Sequence, residues 1–299
     1  VGEPVGGTAA TVGGLGAELA DQLGDRADAR QILSIVLGVG PAWLALHGAD
    51  PVGADDAARA RHAAVRRRQG APVAYATGQA AFRHLALAVD ERVLIPRPET
   101  EVLVDLVLGE IGAHGPVGGI AVDVGTGSGA IAIALATEGR ALFRTVIGTD
   151  VSLDALAVAA ANGRAVAPRT ACGLEWRHGA SLAPVAADGT RAAAVVANPP
   201  YISGSEAWEL PTAVRSWEPP VALVSGADGL GVTRAVIRDA GAVLASGGLL
   251  ALEVDARRAA EVAALAASDG RYDDVRVRLD LTGRERFVLA RRSAHGTHR

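Results

Sequence analysis

The chain has 299 residues, of which 49% are hydrophobic and only 3% aromatic, with a formal net charge of −4 and one cysteine. That length suits one large domain or two ordinary ones, with a core built mainly from Ala, Val and Leu. A single cysteine excludes an internal disulfide or a cysteine-cluster metal site, no run of 18 uncharged apolar residues predicts a transmembrane helix, and the slight acidity makes no general case for a nucleic-acid partner. The first 25 residues hold no Lys or Arg, so the basic start of a signal peptide is missing and a cytoplasmic protein is expected. Lys and Met are absent, and asparagine occurs only at Asn162 and Asn198. A scarce residue inside a tight cluster therefore carries weight.

Residues 1–16, rich in Gly, Ala and Thr, read as a loose tail. From 17 to 84 the expectation is a small helical domain. Ile32, Leu33, Val36 and Leu37 mark one helix face, Gly38 stops it, Pro41 can start another helix, and Asp55 can cap a third that runs to Gln69. The segment 85–98 reads as a β-hairpin linker, two short strands around Asp90-Glu91. Pro96 and Pro98 forbid regular structure there, and Thr100 can cap a helix from Glu101 to Leu108. Beyond residue 99 strands and helices alternate, starting with strand Ile120 to Val124 and helix Ala130 to Ala136. The chain closes with two strands over 275–279 and 286–291, expected as an antiparallel pair. The fold class is α/β, a mostly parallel Rossmann-like sheet with an antiparallel last strand.

Two motifs carry chemistry. Gly125, Gly127 and Gly129 follow the first strand and open a helix, which lets a ligand approach the backbone at the strand's carboxyl end. Thr126 and Ser128 lie within this loop and Asp123 precedes it. Asp150 ends the second strand, where a carboxylate can accept both ribose hydroxyls. A dinucleotide and S-adenosylmethionine both fit this pattern. Asp123 disfavours a pyrophosphate and suits an ammonium group.

The second motif, Asn198-Pro199-Pro200-Tyr201, follows an apolar strand and uses one of two Asn and one of three Tyr. A conjugated amino group is a weak nucleophile, so a site that methylates it must grip both N–H groups. The Asn198 oxygen and the Pro199 carbonyl can accept them, proline holding its carbonyl rigidly, while Tyr201 stacks on the flat substrate. Asn198, Pro199 and Tyr201 are the candidate catalytic residues, and Asn198 also faces the methyl donor. Together the motifs favour methyl transfer over hydride transfer. The acceptor could be adenine N6, cytosine N4 or a glutamine amide. Trp208 and Trp217, in the loop after Tyr201, read as loop packing or as a lid. Seven His without ligand spacing give no metal site.

Through these and further motifs the sequence resembles the PrmC/HemK family of release factor glutamine N5-methyltransferases over residues 28–291. The likeness includes Gly70 to Tyr75, Phe82 to Leu87, Val93 to Glu101, Asp123 to Gly129, Asn198 to Tyr201, Glu218-Pro219, Asp228 to Leu230, and Asp280 to Arg284. It implies a helical substrate-recognition domain, a hairpin linker and a class I S-adenosylmethionine-dependent methyltransferase domain over 99–299. The methyl acceptor it implies is the glutamine of the release factor's Gly-Gly-Gln loop. Related readings are a ribosomal-protein glutamine methyltransferase and a nucleic-acid adenine N6 methyltransferase. By position, Gly125 to Gly129 and Asp150 bind the donor, and Asn198 to Tyr201, Pro200 included, hold the glutamine. The resemblance also puts Arg97 and Thr100 on the substrate pocket. Ala180 and Ser181 fall where adenine contacts lie, but the family's usual acid is missing there. After the fifth strand only Glu253 of the family's Glu-Ile/His-Gly pattern remains. The expected partners are peptide chain release factors as protein substrate, with no membrane and no direct nucleic acid, the enzyme itself being a monomer.

Overall fold

A computed structural model describes residues 10–115, 117–170 and 172–294, which divide into two units after Gln79. The first nine residues of the expected tail lie outside the described residues. The rest of that tail is not loose. Helix α1 (Val12–Leu23) begins inside it, capped by the Thr11 side chain and ended by Gly24 in the left-handed region. Three glycines in its first five residues lower its intrinsic propensity, but they allow close packing: a side chain on Gly13 would meet the Gly48 carbonyl at 3.0 Å.

Four helices complete this unit: α2 (Arg26–Leu37), α3 (Pro41–Leu46), α4 (Ala54–Arg68) and α5 (Val73–Thr77). Leu15, Leu19, Ile32, Leu33, the alanine face of α4 and Tyr75 are buried. Gly53, rather than Asp55, is the N-cap of α4. Asp55 and Asp56 sit in its first turn, facing the positive end of the dipole.

The hairpin comes earlier than expected. Its strands are β1 (Gln79–Phe82) and β2 (Leu85–Ala88), and the turn is Arg83-His84. Arg83 explains the position. Its backbone is left-handed at φ 54°, its amide donates to Glu101, and its guanidinium reaches Glu138 at 2.6 Å and Asp105 at 2.7 Å. Phe82, Leu85 and Leu87 are buried beneath it. The residues around Asp90-Glu91 form a turn without flanking strands.

Seven further strands form one sheet: β3 (Gly119–Val124), β4 (Phe143–Asp150), β5 (Gly173–His178), β6 (Ala192–Ala197), β7 (Leu244–Glu253), β8 (Tyr272–Leu279) and β9 (Glu285–Arg292). Their order is β5-β4-β3-β6-β7-β9-β8. Pairing is parallel through β7, and β9 runs antiparallel to both its neighbours. The helices are α6 (Pro98–His114), α7 (Ala130–Glu138), α8 (Leu153–Val166), α9 (Ala183–Ala186), α10 (Thr212–Trp217), α11 (Gly231–Val243) and α12 (Ala259–Ser268). All six residues of β6 are buried, as a central parallel strand covered on both faces requires. Alternate strand residues feed two cores. Ala194, Val196, Leu249 and Leu289 pack with α6 and α7, whereas Val195, Ala197, Leu250 and Val288 pack with α11 and α12. No helix among the described residues is long and apolar enough to cross a membrane.

Helix α6 starts at Pro98, not at Glu101, because proline is already set for the first helical position. Thr100 is thus inside the first turn rather than a cap, and its side chain turns elsewhere.

Candidate active site

The carboxyl ends of β3, β4, β6 and β7 converge on one place, where the strand order departs from chain order. After β3 the backbone enters the left-handed region at Gly125, Gly127 and Gly129, with φ of 72°, 53° and 82°. Side chains at these positions would be strained. Backbone bonds fix the turn. Gly125 and Thr126 donate to the Thr149 carbonyl, and the Gly127 amide donates to Asp150 Oδ2 at 2.9 Å. Asp150 Oδ1 accepts from the Ser152 amide, so this one carboxylate joins the loop to the start of α8.

Behind the loop lies Asp123, wholly buried. Its Oδ2 accepts from the Thr126 hydroxyl at 2.6 Å and from the Ala132 amide at 3.1 Å. Burial pushes this carboxyl up to about 7, and the nearby Asp150 charge adds to the effect. Its Oδ1 has no hydrogen-bond partner.

In front of the loop is a cavity of about 310 Å³, within the range of small-ligand sites. Gly125, Gly127, Asp150, Ser181, Asn198, Pro199 and Pro200 are on its wall, as is the segment Arg92 to Leu94. Ser181 is left-handed at φ 50°, and its buried Oγ has no partner. A second cavity of about 160 Å³ abuts the first. It is lined by Arg97, Tyr201, Ile202, Leu210, Val214 and Leu223, and shares Leu94, Asn198, Pro199, Pro200 and Ala222 with its neighbour. The Asn-Pro-Pro segment is therefore the wall common to both.

That wall is held from several sides. Ile202 pairs with the chain at Leu223 and Ser225, and Gly229 approaches so closely that a side chain there would collide with the Tyr201 carbonyl. Arg97 grips both oxygens of the buried Glu218, at 2.6 and 2.7 Å. Asn198 Nδ2 donates to the Thr100 hydroxyl at 3.1 Å, and that hydroxyl donates to Glu253 at 2.7 Å. Burial raises the Tyr201 phenol, and the Glu253 charge raises it further.

The structure thus brings Gly125, Gly127, Asp150, Ser181 and Asn198 to Pro200 onto one cavity, and Arg97 and Asn198 to Tyr201 onto the other. Asp123, Thr126, Ser128, Gly129 and Thr100 are not on either wall. They stand behind it, Asp123 and Thr126 bracing the loop and Thr100 holding Asn198. Trp208, in the loop after Tyr201, is 77% exposed rather than packed, with the Arg215 guanidinium 5.9 Å from its ring centre.

Residues 16–78 match the PrmC N-terminal domain, and residues 100–214 match the methyltransferase small domain. A release factor glutamine methyltransferase of Cereibacter sphaeroides is 40% identical over 264 residues, covering 88% of this chain and 90% of that protein. The chain belongs to the release factor glutamine methyltransferase family. Another member of the family, from Deinococcus radiodurans, is 37% identical over 267 residues, 89% of this chain and 91% of its own. Among solved structures, the hMettl16 catalytic domain shares the fold at 16% identity, with a TM-score of 0.53 over 81% of this chain and 83% of that one. The resemblance names Glu218 and Glu253 without giving either a role, and the structure supplies one for each: Glu218 holds Arg97 and Glu253 holds Thr100.

Proposed function

We propose that the protein transfers the methyl group of S-adenosylmethionine to the side-chain amide nitrogen of the glutamine in the Gly-Gly-Gln loop of peptide chain release factors. The observation that carries this reading is the Asn198-Pro199-Pro200 wall shared by two cavities. A methyl donor in the larger cavity and a flat amide in the smaller one would meet across it.

The residues fit that donor. Asp150 keeps lone pairs for hydroxyl donors, and Ser181 Oγ is unpartnered at the cavity. When bound, S-adenosylmethionine supplies an electrophilic methyl on a sulfonium. The chain supplies the grip on the acceptor. Asn198 Oδ1 and the Pro199 carbonyl accept the two amide N–H groups, and Tyr201 covers the flat face. Positioning and fixed dipoles then do the catalytic work, without a covalent intermediate. To the helical unit we assign recognition of the rest of the release factor, with a monomeric enzyme acting in the cytoplasm.

Labelled methyl transfer tests this directly. Purified release factor should take up one methyl per chain, and a release factor with Gln→Ala in the Gly-Gly-Gln loop should take up none. Equal label on both, or label only on ribosomal protein or RNA, overturns the reading.

A further inference from the structure

An asparagine amide has an oxygen end and a nitrogen end of nearly the same shape, so only its partners decide which end faces the substrate. Here the partner is Thr100, 4% exposed in the first turn of α6. With Glu253 ionised, the Thr100 hydroxyl gives its one proton to Glu253 Oε2 at 2.7 Å. Toward Asn198 it therefore turns a lone pair, and it receives the Nδ2 group at 3.1 Å. A flipped amide would set two acceptors against each other at that distance. Glu253 is 1% exposed at the end of β7, and Asn198 stands one residue beyond the last β6–β7 pair, Ala197 with Leu252.

We propose that Glu253 is a positioning residue which, through the Thr100 hydroxyl, locks the Asn198 amide with its nitrogen inward and its oxygen left to accept the substrate. Three elements meet in this chain: the start of α6, the end of β6 and the end of β7. Substrate is touched by Asn198 alone, and the other two set its orientation. The role in turnover rests on the glutamine-methyltransferase reading above, but the orientation itself is measurable without any substrate.

The two asparagines make the test simple. Selective ¹⁵N-Asn labelling of the full chain gives two side-chain NH₂ pairs, and the one lost in Asn198→Ala is assigned to Asn198. Thr100→Val should shift that pair and speed its exchange with solvent, leaving the Asn162 pair in place as a reporter of the fold. In the methylation assay Thr100→Val should lower kcat by roughly 10- to 100-fold, the scale seen when a positioning partner is removed. KM for release factor and the calorimetric affinity for S-adenosylmethionine should stay put. Thr100→Ser should restore both signals. Glu253→Leu should cost as much as Thr100→Val, and the double variant no more than either, because all three cut one chain. If Glu253→Leu also loses the Asn162 pair, it has misfolded and Thr100→Val decides. An Asn198 pair unmoved by Thr100→Val, or a Thr100→Val kcat within twofold of wild type, overturns the proposal. Failure of the wild type to methylate release factor counts against the function reading instead, and the amide signals still decide the orientation.

Discussion

Each asparagine in the chain is committed through its side-chain amide. Asn162 is buried in α8. Its Oδ1 accepts from the Ala88 amide at 2.8 Å, while its Nδ2 donates to the Ala88 carbonyl at 3.0 Å and to the Ser128 carbonyl at 2.9 Å. One side chain so pairs with β2 as a neighbouring strand would, and ties it to the glycine loop. Asn198 spends its nitrogen on Thr100, which frees its oxygen for a ligand. The expected effect of Asn198→Ala follows from this division. Donor affinity, measured by calorimetry, should persist, since the loop and Asp150 are untouched. Turnover should fall by about 10²- to 10³-fold, the cost of deleting one preorganised polar group at a reacting centre. A variant that turned over release factor near the wild-type rate would remove Asn198 from the reaction.

The glycine loop depends on an element that does not touch the cavity. Trp176 of β5 fills a slot bounded by Gly129, Gly148 and Gly163, where added side chains would lie 3.0, 2.6 and 3.0 Å from its indole. The ring therefore backs the last loop glycine. Gly148→Ala would drive a methyl into that ring and to 2.8 Å from the Thr126 hydroxyl that braces Asp123. Overpacking of this kind costs about 1–3 kcal/mol. Thermal unfolding should show the lowered stability, donor affinity should weaken with it, and Trp176→Leu should relieve much of the damage. Equal melting of Gly148→Ala and wild type would contradict the slot. The same element shows what sequence can and cannot carry. Strand β6 and the glycine loop were legible because an apolar run and a turn chemistry are local. Helix α1 was hidden by its glycines, and the hairpin was displaced because the anchor of Arg83 is Glu138, 55 positions away. The relay from Asn198 through Thr100 to Glu253 spans separations of 98 and 153 residues, and no spacing rule reaches that far.

At the scale of the whole molecule, two opposed sets of carboxyls carry the pH dependence. Burial pushes Asp123 and Glu253 up to about 7. Around Glu253 the Thr100 hydroxyl, Arg286 and Arg97 pull downward and Glu99 pushes upward, while Asp123 is relieved by Thr126 and Ala132 and opposed by Asp150. Hydrogen bonds act the other way on seven carboxyls among the described residues, of which Glu206, Asp228 and Asp280 are lowered furthest. Ser203 and Arg258 hold Glu206 down to about 2, Arg234 and the Leu230 amide do so for Asp228, and Thr282 with the Arg284 amide for Asp280. The signs then follow from proton counting. Between the ordinary carboxylate range and about 7, the unfolded chain has released the protons of Asp123 and Glu253 while the folded chain keeps them, so stability falls as pH rises through that window. For Glu206, Asp228 and Asp280, stability is present above the ordinary range and is lost as pH drops toward about 2, though exposure of the Glu206 and Asp228 pairs keeps their share small. The ligand-free protein should thus be most stable near pH 4–5 and melt progressively lower as the buffer is taken to pH 7.5. Calorimetric Tm across that range checks it, and Glu253→Gln, which removes one of the two buried titrations, should flatten the decline. A wild-type Tm that rises from pH 5 to 7.5, or a Glu253→Gln profile parallel to wild type, would show that burial of these two carboxyls does not govern the pH dependence.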